Sequence, residues 1–372
     1  MSNIKFLNIN NKNQKYKLSD IIIYAPKSHL PASNAKSIGK YRFFKSDSTD
    51  IQYFSDIELV KGLYIIMNDG GLCDFKIFNG TFAYSDHCIC FKSKENTKYL
   101  YQLLLAFKNK INNEGFIGGG LKNIDRKYFN SLEIQLPNLS EQQKIADMLC
   151  YIDKGIEKNK LKIKKLKDLK YSLLNKMFPK ENSNIPELRF KGFTDAWEQR
   201  KLGDKCKITM GQSPDGSTYS ETPSDYILVQ GNADLKEGWV FPRIWTTQKT
   251  KTAHIGDLIM SVRAPVGSMG KTAYDVVLGR GVAGITGNEF IYHILVKMDF
   301  NGYWKKFSVG STFESINSDV VKNANLVIPK DINEQTKIGD FFSKIDSLIV
   351  LHQRKYDKLV QVKKALLSKM FV

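Results

Sequence analysis

The chain has 372 residues, room for two to three domains at roughly 150 residues each, and 56 Lys and Arg against 38 Asp and Glu leave a formal charge of +18. With 42% hydrophobic and 12% aromatic residues it is not a disordered basic tail. It has no run of about 18 apolar residues to span a membrane. The polar stretch Met1 to Asn13 is not expected to be a secretory signal, and five cysteines fit a reducing cytoplasm better than a disulfide scaffold. A folded protein this basic either happens to be basic or meets a polyanion.

Residues 1–139 read as a first mixed α/β part. Asp20–Tyr24 and Tyr64–Met67 have the apolar character of strands, bounded by Gly, Pro, Asn and Ser, and Asn96–Asn112 carries helical spacing. Cys88-Ile89-Cys90 has one residue between its sulfurs, too few for a zinc clip, and reads as a strand in the core. Residues 140–178 form a long helix. Ile145, Leu149, Ile152, Ile156, Asn159, Ile163, Leu166, Lys170, Leu173 and Met177 alternate by four and three, a heptad seam broken at two polar places. Ser140 stands where a cap is expected, and Pro179 stops the helix. Residues 179–198 are a polar linker and lead-in. Residues 199–332 read as a second mixed α/β part, with strands at Tyr226–Gln230 and Asp257–Ser261 and a helix over Phe290–Phe307. Residues 333–372 form a second long helix entered at Asn333. Its seam is Ile338, Phe342, Ile345, Ile349, His352, Tyr356, Leu359, Lys363, Leu366 and Met370.

The chain therefore contains itself twice. Pro137 to Ile145 recurs as Pro329 to Ile338, and Leu173-Leu174-Asn175-Lys176-Met177-Phe178 as Leu366-Leu367-Ser368-Lys369-Met370-Phe371. The polar breaks coincide, Asn159 with His352 and Lys170 with Lys363, which favours pairing of the two helices over separate packing. Asn159 and His352 are read as register-fixing residues, not ligands. A helix of this length spans about 55 Å.

Catalytic motifs are missing. Gly267 to Thr272 fails as a Walker loop because the position that needs glycine is Pro265, and Gly118-Gly119-Gly120 lacks the dinucleotide spacing. The five histidines are scattered. Binding chemistry is easier to find. Gln212, Ser213 and Ser217 sit on a polar turn whose side chains suit base edges or phosphates, although a plain surface loop would look the same. Arg263 and Lys271 flank a Gly/Pro loop after a strand; Arg takes two guanine acceptors at once and Lys suits phosphate. Arg280 and Thr312 extend this set. In the first part Lys27, Ser28 and His29 occupy the place of the Gln212-Ser213 turn, and Asn68 that of the Ser261–Arg263 turn. The frame is kept while the exposed loops change, as two readers of different sequences would do, or as a duplication without function in its loops would do.

The Pro-x-x-x-Glu-Gln-x-x-Ile entry, the Leu-Leu-x-Lys-Met-Phe exit, the lead-in Pro186-Glu187-Leu188-Arg189-Phe190 through Trp197-Glu198, and the turns at Gly211–Pro214 and Gly256–Arg263 resemble the specificity subunit of type I restriction–modification systems. The resemblance covers essentially the whole chain; Met1–Gln14 departs from it by lacking the lead-in. It implies an α+β protein: two mixed α/β target recognition domains in a pseudo-two-fold repeat, joined by two long helices forming an antiparallel coiled coil. Each domain would dock in the major groove of double-stranded DNA and read one half of a split site. The helix pair would act as spacer and as platform for two methyltransferase subunits. The chain itself would be non-catalytic and carry no cofactor or metal. Methyltransferase partners would bring S-adenosylmethionine, and restriction subunits ATP and Mg²⁺. Two other classes stay open: a nuclease with a degenerate acidic site, and a basic coiled-coil scaffold with nonspecific DNA binding.

Overall fold

The computed structural model describes residues 14–47, 51–120, 122–308 and 314–371. The chain divides into two compact units, Met1–Lys158 with Lys355–Val372, and Asn159–Arg354. Both long helices therefore contribute to both units.

In the first unit a helical turn, Leu18–Ile21, precedes the strand Ile22–Tyr24. The strand expected from Asp20 starts later because Leu18 and Ile21, one helical turn apart, both point into the core. A six-stranded sheet runs in the order Ile22–Tyr24, Cys88–Ser93, Val60–Asn68, Phe75–Tyr84, Tyr41–Phe44, Tyr53–Ser55. Every pairing is antiparallel except Tyr41–Phe44 with Phe75–Tyr84. Cys88, Ile89 and Cys90 are all buried, so this strand is covered on both faces. The helix Thr97–Glu114 lays Leu100, Leu103, Leu104 and Ile111 on the sheet, the 3.6-residue spacing of a core-facing stripe. Asn96 caps it, accepting from the Tyr99 amide at 3.0 Å, and donates from its own amide to Gln143 at 2.9 Å, which ties the helix to the start of the first long helix.

The second unit repeats this plan. Its strands split into a six-stranded sheet, Ile208–Met210, Val282–Ile285, Leu258–Ser261, Met269–Lys271, Trp239–Val240, Leu235–Lys236, and a five-stranded one, Tyr219–Ser220, Ile244–Thr246, Tyr226–Val229, Val276–Leu278, Lys251–Ala253. Asn288 caps the helix Glu289–Phe300 and donates to Gln335 at 3.2 Å, as Asn96 does to Gln143. The helix expected over Phe290–Phe307 breaks at Asn301-Gly302, where Gly302 takes φ +71°, and resumes as the short 3₁₀ turn Trp304–Phe307.

The long helices run Leu139–Met177 and Ile332–Met370. Their caps lie earlier than Ser140 and Asn333. Asn138 accepts from the Glu141 amide at 3.0 Å and Asp331 from the Asn333 amide at 2.8 Å, leaving Ser140 and Asn333 inside the first turns. Within the first unit Ile145 and Leu149 are buried, Ile152 and Ile156 are half-buried, and Leu366, Leu367, Met370 and Phe371 pack on the same core. Asp153 meets Lys363 at 2.5 Å, and Gly155, further along its helix, meets Leu359, which comes earlier in the other. The pairing is therefore antiparallel. The second unit makes the same contacts with the roles of the helices exchanged. Ile338, Phe342 and Ile345 are buried beside Leu174, Met177 and Phe178, with Ile349 packed against them. Lys170 meets Asp346 at 2.6 Å, and Asn159 meets His352 at 2.8 Å. Each lysine break in the seam is thus matched by an aspartate on the facing helix, because a charge taken out of water needs a partner.

Candidate nucleic-acid interface

In the second unit three loops meet at one end of the strands. Gln212 donates its amide to the Leu278 carbonyl at 2.8 Å, and the Arg280 amide donates to Ser213 Oγ at 3.2 Å. Val262, next to Arg263, donates to the Gly281 carbonyl at 2.9 Å. The turn Gly279-Arg280-Gly281 is gripped tightly. A Cβ at Gly281 would lie 2.0 Å from the Gln230 carbonyl oxygen, and one at Gly211 would lie 2.1 Å from the Gly279 carbonyl oxygen. Gln212, Arg263 and Arg280 are exposed on this edge, and among the described residues no ion pair engages either arginine. Arg263 is pinned through its backbone, which bridges to Ser315 and accepts from Ser261 Oγ at 2.8 Å. Ser217 follows on the same loop as Gln212. It donates its amide at 2.9 Å and its hydroxyl at 2.6 Å to Asp215, and these bonds hold the Asp215 carboxyl below its ordinary range.

Lys271 lies elsewhere. The hairpin register pairs Met260 with Met269 and Leu258 with Lys271, so Lys271 stands at the end opposite Arg263. Its amine is 2.8 and 3.0 Å from the two oxygens of Glu289, lies over the rings of Trp239 and Tyr292 at 4.7 and 4.9 Å, and its side chain is 12% exposed. Its charge is used inside the unit. Thr312 lies outside the described residues.

In the first unit Lys27 and His29 are exposed on their loop, whereas Ser28 points inward and donates to the Tyr84 carbonyl. Asn68 ends a strand and is buried there, paired across to Cys88. Both loops reach one turn: Asp86 donates its amide to the Leu30 carbonyl at 2.8 Å, and Asp69 donates to the His87 carbonyl at 3.0 Å. Lys27, His29, Asp86 and His87 are exposed on this edge, the His87 side chain at 73%.

The matching elements recur in known proteins. The family model described as the type I restriction modification DNA specificity domain matches residues 10–168 and again residues 194–361. The chain belongs to this family. It is a type I restriction–modification specificity subunit with two DNA specificity domains. The putative type I restriction enzyme MjaX specificity subunit of Methanocaldococcus jannaschii is 28% identical over 295 residues, 74% of this chain and 68% of that protein. The MjaVIII specificity subunit of the same organism is 21% identical over 303 residues, 74% of this chain and 71% of that protein. Among solved structures, the S subunit of the type I restriction–modification system from M. genitalium shares the fold over 100% of this chain and 99% of its own, with a TM-score of 0.77 at 16% identity.

Set against this family, the two specificity domains keep one frame and change what it presents. The turn after the parallel strand is Ser85-Asp86-His87 in the first domain and Gly279-Arg280-Gly281 in the second. His87 was not singled out by the sequence, and its signal was its place just before Cys88, at the turn end of a strand. Arg243 and Asp234 were also missed. Asp234, 3% exposed, accepts from the amides of Gln230 at 2.7 Å and Gly231 at 3.1 Å and from Arg243 Nε at 3.0 Å. A lone Asp and Arg nine residues apart give no sequence signal.

The family's lead-in also has a structural task. Arg189 donates to both oxygens of Glu334, at 2.6 and 2.8 Å, where Glu334 is 1% and Arg189 13% exposed. Lys337 lies 4.9 Å over Phe193, and Phe190 packs edge-on against Phe341. Among the described residues no group of three His, Cys, Asp or Glu is placed to hold a metal, and no helix is long and apolar enough to cross a membrane.

Proposed function

We propose that each specificity domain reads one half of a bipartite double-stranded DNA site in the cytoplasm, and that the chain does no chemistry itself. The observation that carries this reading is the loop edge of the second unit, where Gln212, Ser213, Arg263 and Arg280 converge on a rigid frame. Arg and Gln on fixed loops are suited to the donor and acceptor code of the major groove. The frame is repeated in the first unit with Lys27, His29 and His87 on its rim. The net charge of +18 supplies the sequence-independent attraction to phosphates.

The paired helices serve as the spacer between half-sites and as the docking surface for two methyltransferase subunits. A 39-residue helix spans about 58 Å, which is sufficient for half-sites roughly 34–36 Å apart, one helical turn of DNA. A related chain of 20% identity and TM-score 0.54 was solved in work on complex assembly of the type I system, which fits a partner-bound role. S-adenosylmethionine then belongs to the methyltransferase subunits, and ATP and Mg²⁺ to restriction subunits. A target adenine has to leave the stack to be methylated, so the chain holds distorted DNA during the reaction.

The test is long-read methylation mapping in cells expressing the chain with its methyltransferase. A split motif methylated in both halves, and lost when the chain is deleted, is expected. Replacing residues 15–135 with another recognition domain should change one half only. An unchanged site after that exchange would overturn the reading.

A further inference from the structure

The geometry points to Arg243 as a base-reading residue of the second domain, oriented by Asp234; this rests on the half-site reading above. Three observations carry it. First, Arg243 is tied at one atom only: its Nε donates to Asp234, and no other bond of its guanidinium is formed among the described residues. The side chain is 47% exposed. The two terminal nitrogens thus keep their donors for a ligand, and as a fork they suit guanine O6 and N7 together.

Second, the tie is rigid. Asp234 is a buried carboxylate, and its other oxygen is satisfied by the amides of Gln230 and Gly231. It sits in the 3₁₀ turn Asn232–Asp234, directly after the strand Tyr226–Val229. A guanidinium held through Nε by a fixed carboxylate loses less freedom on meeting a base than a free one does.

Third, the location fits. The Gln230 backbone that Asp234 binds is the one packed against Gly279 and Gly281, on either side of Arg280. Arg243 therefore belongs to the same loop edge as Gln212, Arg263 and Arg280. The first unit has Gln52 where the second has Arg243, next to the strand that pairs with Tyr41–Phe44, so the feature belongs to one half-site alone.

The experiment uses the full chain co-expressed with its methyltransferase subunit in cells lacking other adenine methylation, with every methylated site mapped. Arg243→Ala is expected to relax one base position in one half-site by on the order of ten- to a hundredfold and to leave the other half unchanged. Arg243→Lys, which keeps the charge but lacks the fork, should not restore that base. Asp234→Asn, which keeps acceptors for the two amides but removes the charge facing Arg243, should relax the same base by a smaller factor. Thermal unfolding of each variant checks that it folds, and Arg243→Lys keeps the test open if Arg243→Ala does not. A uniform loss over all sequences with a shallower salt slope would make Arg243 a phosphate contact and overturn the proposal. So would an unchanged motif, which would leave Arg243 as an internal partner of Asp234. Absence of any split motif with the unaltered chain would instead defeat the half-site reading itself.

Discussion

Removing Arg189 leaves the Glu334 carboxylate buried without its cation. Glu334 is 1% exposed and accepts both hydrogen bonds of the guanidinium, so the loss falls in the range for breaking a buried pair, about 3–5 kcal/mol. Arg189 keeps a rim of solvent, which places Arg189→Met at the lower end, about 3 kcal/mol. With a urea slope of about 2–3 kcal/mol per molar, the unfolding midpoint should drop by about 1–1.5 M. All four tryptophans, Trp197, Trp239, Trp245 and Trp304, belong to the second unit, so fluorescence excited where tyrosine does not absorb reports that unit alone. The double variant Arg189→Met/Glu334→Leu replaces the pair with apolar groups and should recover most of the loss. The equivalent residue of the first unit, Glu141, is only half-buried and, among the described residues, has no ion pair to lose, so Glu141→Gln should cost under about 0.5 kcal/mol. A midpoint drop below about 0.3 M for Arg189→Met, or a double variant no more stable than the single one, would refute this account of the lead-in.

Gly281→Ala should lower stability by about 1–3 kcal/mol and blur the half-site of the second domain, since its Cβ would run into the Gln230 carbonyl; an unaltered methylation motif with unaltered stability would show that the turn yields freely. His293, fully buried, has its pKa held well below the ordinary 6.5, first by burial and then by Lys170 and Lys271, with Glu289 and Asp346 as the facing carboxylates. The unfolded chain therefore binds a proton that the native one refuses. The stability this provides is complete above about pH 6.5 and is lost as pH falls below it, by up to about 1.4 kcal/mol per pH unit. Comparing urea midpoints from about pH 7 to about pH 5, His293→Gln should show a shallower acid loss than the unaltered chain, and parallel curves would count against it. Arg263→Ala should weaken one half-site only, and an equal loss across all sequences would mark it as a phosphate contact. Inserting two helical turns into the first long helix should change the gap between half-sites in methylation maps; an unchanged gap would remove the spacer role.

Local rules explain why so much of the architecture was legible. A heptad seam depends on which residues lie three and four apart, and the same spacing is present in Ile145 to Met177 and Ile338 to Met370. Asn159 and His352 were recognisable as partners because they fall at the same place in two copies, and they bond at 2.8 Å. The binding residues were less legible, because the type of a side chain does not say which way it faces. Ser28 and Asn68 have the chemistry to read a base, yet both are buried, and Lys271 is neutralised by Glu289. Capping too shifted by two residues, to Asn138 and Asp331, since several polar residues compete for the same free amides.

The sequence by itself determined that the chain is duplicated, that each copy ends in an amphipathic helix, and that the polar breaks of the two helices correspond, all of which follow from periodicity along one strand of chain. Only the tertiary structure decided that Lys170 is answered by Asp346 and Lys363 by Asp153. It also decided that the Leu-Leu-x-Lys-Met-Phe exit of one helix packs in the unit where the other helix begins. The presentation of Arg280 and Arg243 by glycine crossings and a buried Asp234 was likewise settled there. These features join residues far apart in the chain, and such contacts are fixed by how loops close and cores fill, for which the linear pattern carries no period.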